Sequence, residues 1–391
     1  MNAEVRRPWF HFISCGGSDT GSCLRTRYVR ESLSEKGFAT SFFEPLPSMP
    51  LKGDFALSTL SYALSTLLLN SRIGSWDYLF INKAYPNALI PALVTKIRGG
   101  RVILDIDDAD SGFHSGVMSG VVELCQMPLP HIADYLCTHS ETIGSELRRK
   151  FPEKPVLFLG QGVNPKLLAE TPGAAGIRRE YCGDAEIVVL YTAHMNVASE
   201  FPLILDIFSK ASSDTNAVLL APGGGPRLHE FRSLARASGL GSRVVMPGSF
   251  SREQLAAYNH AADVCLVYYP DSHANRARVS MKVREHLAAG RITVCNRVGD
   301  LASMAGMAVQ GGDSISEMAE TLASVIRGIS DIKSSRPVIN GCSGLNVSGK
   351  AALPPDMAQA DRAAELFGWS SIVADFLRQL GKHENRILPG T

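Results

Sequence analysis

Net charge is nearly absent from this 391-residue chain: 39 Lys and Arg against 38 Asp and Glu leave +1. That total gives no case for a nucleic-acid or strongly anionic partner. Cysteine pairing signals are missing too. The eight cysteines contain no Cys-x-x-Cys spacing, and Cys15 and Cys23, though near each other, lack a metal-ligand cluster. They read as reduced, mostly buried thiols of a cytosolic protein. No apolar run can cross a bilayer. The longest, Phe55 to Leu69, is broken by serines and threonines and is too short. It reads as a buried or half-buried helix, with a membrane-surface role as the other reading. Met1 to Arg7 is polar and offers no hydrophobic signal core, so no secretory leader is expected.

What is present is ordinary for a soluble globular protein, with 45% hydrophobic and 20% charged residues, and the length suits two domains. Short apolar runs alternate with helical patterns, as in doubly wound α/β domains. Trp9 to Ser14, Phe38 to Phe43, Tyr78 to Asn82, Val102 to Ile106, Tyr135 to Thr138 and Pro155 to Leu159 are the first set of strands. Helices are expected from Ser22 to Lys36 and from Ser140 to Lys150. Leu159-Gly-Gln-Gly-Val-Asn-Pro165 is a turn-rich break where a hinge makes chemical sense. The pattern then restarts with Glu186 to Thr192, Ala217 to Ala221, Arg243 to Met246, Val264 to Tyr268 and Ile292 to Cys295. Helices Pro202 to Lys210, Pro226 to Ser238 and Arg252 to Ala261 fall between. Ser334 to Pro355 reads as a long loop, and Arg362 to Leu380 as one terminal amphipathic helix. Two Rossmann-like domains facing each other are the architecture this pattern predicts.

The most informative stretch runs from Pro270 to Gly290. It reads as a strand end, a cationic loop and a short helix with Ser280 as N-cap and Gly290 at the C-terminus. Lys282 and Glu285 share one helical face, while Val283 and Leu287 share the face that packs on a sheet. The helix N-terminus, Arg276, Arg278 and Lys282 converge on a spot suited to a diphosphate. Glu285 can accept hydrogen bonds from vicinal hydroxyls. A solvated surface ion pair explains Lys282 and Glu285 equally well on physics alone.

Asn275-Arg-Ala-Arg-Val-Ser-Met-Lys282, then Glu285 and Ala288-Ala-Gly-Arg291, resembles the donor-site signature of family 4 glycosyltransferases. Further landmarks follow in order: Trp76-Asp-Tyr-Leu-Phe80, Val102-Ile-Leu-Asp-Ile-Asp-Asp108, Ala133-Asp-Tyr-Leu-Cys-Thr-His-Ser140, Gln161-Gly-Val-Asn164, Ala221-Pro-Gly-Gly-Gly-Pro226, Val245-Met-Pro-Gly248, Ala261-Ala-Asp-Val264 and the stretch around Trp369. The resemblance implies an α/β, GT-B fold: two Rossmann-like, doubly wound domains facing across a cleft, the C-terminal helix crossing back to the first. Residues 1–165, joined by 366–391, are the expected acceptor domain, and 166–365 the nucleotide-sugar domain. The implied activity is sugar transfer, with retention, from a nucleotide-sugar donor (a UDP- or GDP-sugar) to an acceptor glycan, lipid-linked carrier or small metabolite. No cofactor, metal or nucleic acid is expected. The implied location is the cytoplasm, with any membrane contact peripheral, at its inner face.

In that reading Arg278 and Lys282 stabilise the leaving diphosphate, with Arg276 beside them, and Glu285 holds the ribose. Gly16 and Gly17, at a strand-to-helix turn, either bring backbone N–H groups to the pyrophosphate or sugar or form a plain tight turn. They are not part of a Gly-x-Gly-x-x-Gly fingerprint. Gly224 and Gly248 shape the nucleotide cleft. Asp107 and Asp108 bind a sugar hydroxyl or orient the acceptor; with Asp105 they read alternatively as a metal cluster or as helix caps. Four positions depart from the common family pattern. Ala277 stands where an acidic residue often contacts the donor sugar. His194, in Tyr191-Thr-Ala-His-Met195, replaces a diphosphate-gripping Arg with a downstream Lys. Asp107-Asp108 replaces a cleft His-Asp, and Ile292-Thr-Val294 replaces Pro-Val-Val. Arg25 and Arg27 read as a solvated helix face or as contacts to an anionic acceptor. His114, His131 and His139 read as ordinary polar or packed residues. A nucleotide-sugar epimerase of the same fold, or a non-catalytic binding protein, are the alternatives.

Overall fold

The computed structural model describes residues 7–14, 21–43, 73–85, 88–107, 124, 126–169, 171–196, 199–335 and 355–384. Gly16, Gly17, Asp108 and His114, the run from Phe55 to Leu69 and most of the expected loop (336–354) lie outside them. The chain forms two compact units. The first takes Met1–Gly162, Ala277–Val279 and Trp369–Thr391; the second takes Val163–Arg276 and Ser280–Gly368.

The first unit is built on a parallel sheet in the order β2-β1-β3-β4-β5-β6. Its strands are β1 (Phe10–Ser14), β2 (Thr40–Phe43), β3 (Tyr78–Asn82), β4 (Arg101–Asp105), β5 (Tyr135–Thr138) and β6 (Val156–Phe158). Phe10, Tyr78, Leu79, Ile103 and Leu136 are fully or almost fully buried, as strands covered on both faces by helices require. Phe10 pairs with Tyr78, and Ile103 with Tyr135, which fixes the register. The chain sets β2 on one side of β1 and β3 on the other, so the strand order reverses between β1 and β3.

The second unit repeats the plan in the order β12-β11-β10-β7-β8-β9. These are β7 (Ile187–Leu190), β8 (Ala217–Leu220), β9 (Val244–Val245), β10 (Val264–Val267), β11 (Ile292–Cys295) and β12 (Val309–Gln310). Here the order reverses between β7 and β10. Asp263, just before β10, accepts from Arg178 at 3.0 Å, Lys333 at 2.8 Å and the Val188 amide at 2.9 Å. That buried cluster ties two helices to the sheet's N-terminal edge, which explains an aspartate in an otherwise apolar Ala261-Ala-Asp-Val264. Among the described residues no helix is long and apolar enough to cross a membrane.

Two expectations are corrected. The terminal helix is two helices, Met357–Phe367 and Trp369–His383. Gly368 is extended at φ −65° and ψ 134° and bridges to Val163, and a Cβ there would meet the Ala364 carbonyl at 2.5 Å. Periodicity runs through the break because both helices bury an apolar stripe. The cationic loop after β10 also holds a short helix, His273–Ala277.

The triple glycine is a close-packing device. Gly223 donates to the Gly248 carbonyl at 2.8 Å, and Met195 donates to the Gly224 carbonyl at 2.8 Å. A Cβ on Gly223 would sit 1.8 Å from the Ala193 carbonyl oxygen, at a φ of +155° that side chains disfavour. The obstacle is backbone, so it cannot step aside. Gly223→Ala is expected to destabilise the protein by roughly 3 kcal/mol, read from the urea midpoint.

Candidate functional site

In open α/β sheets ligands bind beyond the C-terminal ends of the strands, at the reversal of strand order. In the second unit that point lies after β7 and β10, and it is where Tyr191, Tyr268, Tyr269 and helix Met281–Ala288 are found. Ser280 caps the helix, accepting from the Val283 amide at 3.4 Å, and accepts from the Tyr269 hydroxyl at 3.1 Å. Arg284 holds the same turn from below. Its guanidinium forks onto Asp300 at 2.6 and 2.8 Å, donates to the Ser280 carbonyl at 3.0 Å, and lies 4.9 Å over the Phe367 ring. Gly290 closes the helix at φ +64°, and Val283 and Leu287 are fully buried. The helix is therefore rigidly placed and capped.

Lys282 rises from the first turn, its Nζ 5.2 Å from the centroid of the Tyr191 ring. The aromatic face restrains an ammonium while leaving its donors available. Glu285, one turn on, is buried and takes Arg252 at 2.7 Å. Burial pushes its carboxyl pKa up, and Arg252 and then Lys282 pull it back. The structure thus brings Lys282 and Glu285 together with two partners that sequence reasoning missed, Arg252 and Tyr191. Arg252 carries no spacing signal, because its contact to Glu285 is purely tertiary.

The remaining residues are placed differently. Arg276 forms a two-pronged exposed ion pair with Asp271, both contacts at 2.6 Å. Arg278 lies in Ala277–Val279, which groups with the first unit, so no single unit holds it with Lys282. Ala277 is fully buried. His194 is exposed on the loop after β7. Gly224 faces Ser249, whose Oγ a Cβ would meet at 2.0 Å, and Gly248 turns at φ +104°.

His286 lies beneath this surface, fully buried, with Nδ1 2.7 Å from Asn259 Oδ1. Burial, and then the Lys282 charge, push its pKa down from 6.5 to about 3. The folded state refuses a proton that the unfolded chain accepts. The stabilising contribution is complete above pH 6.5 and is lost as pH falls toward 3, at about 1.4 kcal/mol per pH unit. A His286→Asn variant is expected to flatten that limb of the stability–pH curve, measured by urea unfolding between pH 7 and 4.

The first unit carries a second polar cluster at the corresponding strand ends. Arg25 corrects the solvated-face expectation: it is 1% exposed. Its guanidinium meets Asp105 at 2.9 and 3.3 Å and donates to the Leu159 and Gly160 carbonyls and the Gln161 side chain. Asn82 donates to Asp105 at 3.2 Å. Asp105 is therefore committed to structure. Asp107 is buried with Lys83 at 3.4 Å. Burial alone would raise its pKa, but Lys83, His139 and a hydrogen bond from Ser22 hold it at about 2. It is a permanent anion, suited to accept hydrogen bonds and poorly suited to abstract protons. Lys83 adopts φ +68°, left-handed backbone rare outside glycine. Among the described residues no cluster of three or more His, Cys, Asp or Glu could hold a metal ion.

Two doubly wound units on parallel six-stranded sheets match solved GT-B glycosyltransferase structures, and the fold is GT-B. Residues 186–327 match the family described as Glycosyl transferases group 1. Sucrose-phosphate synthase from Thermosynechococcus elongatus is similar over 97% of this chain and 98% of its own, at a TM-score of 0.68 and 17% identity. A glycosyltransferase from Rickettsia africae covers the same shares at 0.68 and 11%. Anabaena HepE in complex with UDP-glucose is similar over 96% of this chain and 100% of its own, at 0.65 and 11%. No curated protein matches by sequence.

Proposed function

We propose that this protein transfers a sugar, with retention of anomeric configuration, from a UDP- or GDP-sugar to a glycan, a lipid-linked carrier or a small metabolite in the cytoplasm. The reading rests on Lys282 over Tyr191 and Glu285 against Arg252, side by side at the strand reversal of the second sheet. Lys282 meets the leaving diphosphate with a restrained charge, while Glu285 accepts from ribose hydroxyls. Arg276, although paired with Asp271, and Arg278 are the further candidates for charge on the diphosphate, in a reaction that uses no metal. His194, Gly224 and Gly248 border the nucleotide. Retention without a covalent intermediate makes stabilisation of the departing diphosphate the main catalytic lever. Asp107, with Asp108, takes an acceptor hydroxyl. The permanent charge of Asp107 counts against an epimerase, which needs a base that titrates near neutrality. The HepE structure with UDP-glucose makes a UDP-sugar the first donor to try.

The test is thermal unfolding against UDP, GDP, ADP, CMP and dTDP, each with and without EDTA. A diphosphate at ~100 times its dissociation constant adds roughly 2.7 kcal/mol to the folded state. One nucleotide shifting the midpoint equally in both buffers supports metal-independent transfer and names the donor class. A shift abolished by EDTA would refute metal independence. No shift from any of the five would favour the non-catalytic alternative.

A further inference from the structure

We infer that Arg252 reads the sugar of the nucleotide. Together with Glu285 it sets a hydrogen-bond donor and an acceptor side by side against the vicinal hydroxyls of ribose, so that ribonucleotide donors are taken and deoxyribonucleotide donors are rejected. The inference rests on the role proposed for Glu285, and adds to it a second residue and a selectivity.

Arg252 is delivered by a turn that is pinned on both sides. Before it, the Gly248 carbonyl accepts from the Gly223 amide at 2.8 Å, Ser249 packs against Gly224, and the Phe250 ring lies 5.1 Å from that of Tyr258. Across it, the Gln254 side chain accepts from the Ser251 amide at 2.9 Å. The Arg252 carbonyl accepts from the Leu255 amide at 3.2 Å, at the start of helix Gln254–Ala261. The guanidinium Nη2 then reaches Glu285 Oε1 at 2.7 Å.

Buried carboxylates that serve the fold take cations buried with them. The side chain of Arg25 is 1% exposed against Asp105, and those of Arg178 and Lys333 are 9% and 8% exposed against Asp263. Arg252 departs from that pattern, being 34% exposed over a Glu285 side chain that is 6% exposed. The pair therefore turns one side of a guanidinium outward. It does so beyond the C-terminal ends of the strands, where open α/β sheets bind their ligands.

A hydroxyl is both donor and acceptor, whereas a carboxylate only accepts and a guanidinium only donates. Glu285 alone satisfies the proton of a ribose hydroxyl, and Arg252 beside it satisfies the lone pair. The paired charges suit a neutral diol. A sugar lacking one hydroxyl leaves a desolvated donor and acceptor unmatched, which is how a polar site rejects an analogue most strongly. The plainer account is that Arg252 is a counter-ion for Glu285, whose carboxyl pKa burial pushes up and Arg252 pulls back. A lysine would serve that purpose too, and its loss would not depend on which sugar the nucleotide carries.

The test is titration calorimetry of the full chain with UDP against dUDP and GDP against dGDP, for the natural sequence and for Arg252→Lys. For the base that binds, the ribonucleotide is expected to bind about 10- to 100-fold more tightly than its deoxy form, the worth of a hydrogen bond to a charged group. Arg252→Lys keeps the positive charge beside Glu285 and loses the fork. It should weaken the ribonucleotide and leave the deoxy form unchanged, so that most of the preference disappears. Equal weakening of both forms would make Arg252 a counter-ion and overturn the inference. A preference that survives the substitution undiminished, or equal binding of both forms by the natural sequence, would also overturn it while leaving the donor site intact. Failure of all four nucleotides to bind would defeat the donor-site reading itself, and this inference with it.

Discussion

Lys282→Ala is expected to lower turnover by about 100- to 1,000-fold while changing nucleotide affinity far less. Preorganised charge aimed at a leaving group acts on the transition state, and removing one such donor typically costs that much. The Tyr191 ring matters to the argument, because it holds the ammonium 5.2 Å from its centroid without consuming its donors. Glu285→Ala should do the reverse, weakening nucleotide binding if, as proposed, its buried carboxylate accepts from ribose hydroxyls. Initial-rate kinetics with the donor identified by thermal shift separate the two effects. Equal loss of kcat and of affinity in both variants would remove the separate roles assigned here.

The second large effect is on stability. Arg25→Ala is expected to cost about 3–5 kcal/mol, seen as a lower urea midpoint. The substitution leaves the Asp105 carboxylate, itself fully buried, with only the neutral donors Asn82 and the Cys137 thiol against it. It also strips donors from the Leu159 and Gly160 carbonyls. Arg25→Ala combined with Asp105→Ala should recover much of the loss, since removing both charges avoids the stranded anion. Failure of the double variant to recover would mean that the carbonyl contacts, rather than the ion pair, carry the effect.

These two residues also show what a sequence can and cannot declare. Lys282, Ser280, Glu285 and Gly290 were readable because cap, spacing and C-terminal glycine are local properties, and the helix they specify forms as expected. The strands Tyr78–Asn82 and Tyr135–Thr138 were readable because burial on both faces leaves a contiguous apolar run. Arg25 was misread because nothing in its neighbourhood encodes Asp105. An arginine on a helix is ordinarily solvated, and only the folded sheet reveals the carboxylate and carbonyls waiting for it. Arg252 gives no sequence signal for the same reason. The break at Gly368 was missed because the two helices bury stripes of similar phase, so periodicity alone cannot separate them.

The return of the chain to its first unit has a consequence for synthesis. Trp369 stacks on Tyr28 and Arg25, and Phe376 packs fully buried against Phe80. The first unit is thus finished by residues that leave the ribosome after Gly368, the last residue of the second unit. Domains usually fold in the order in which they emerge. Here the earlier-made unit must wait, with Phe80 and Tyr28 lacking their partners, until the whole of the later one has been translated. A chain truncated after Gly368 and released from the ribosome should therefore carry a protease-resistant second unit and a protease-sensitive first.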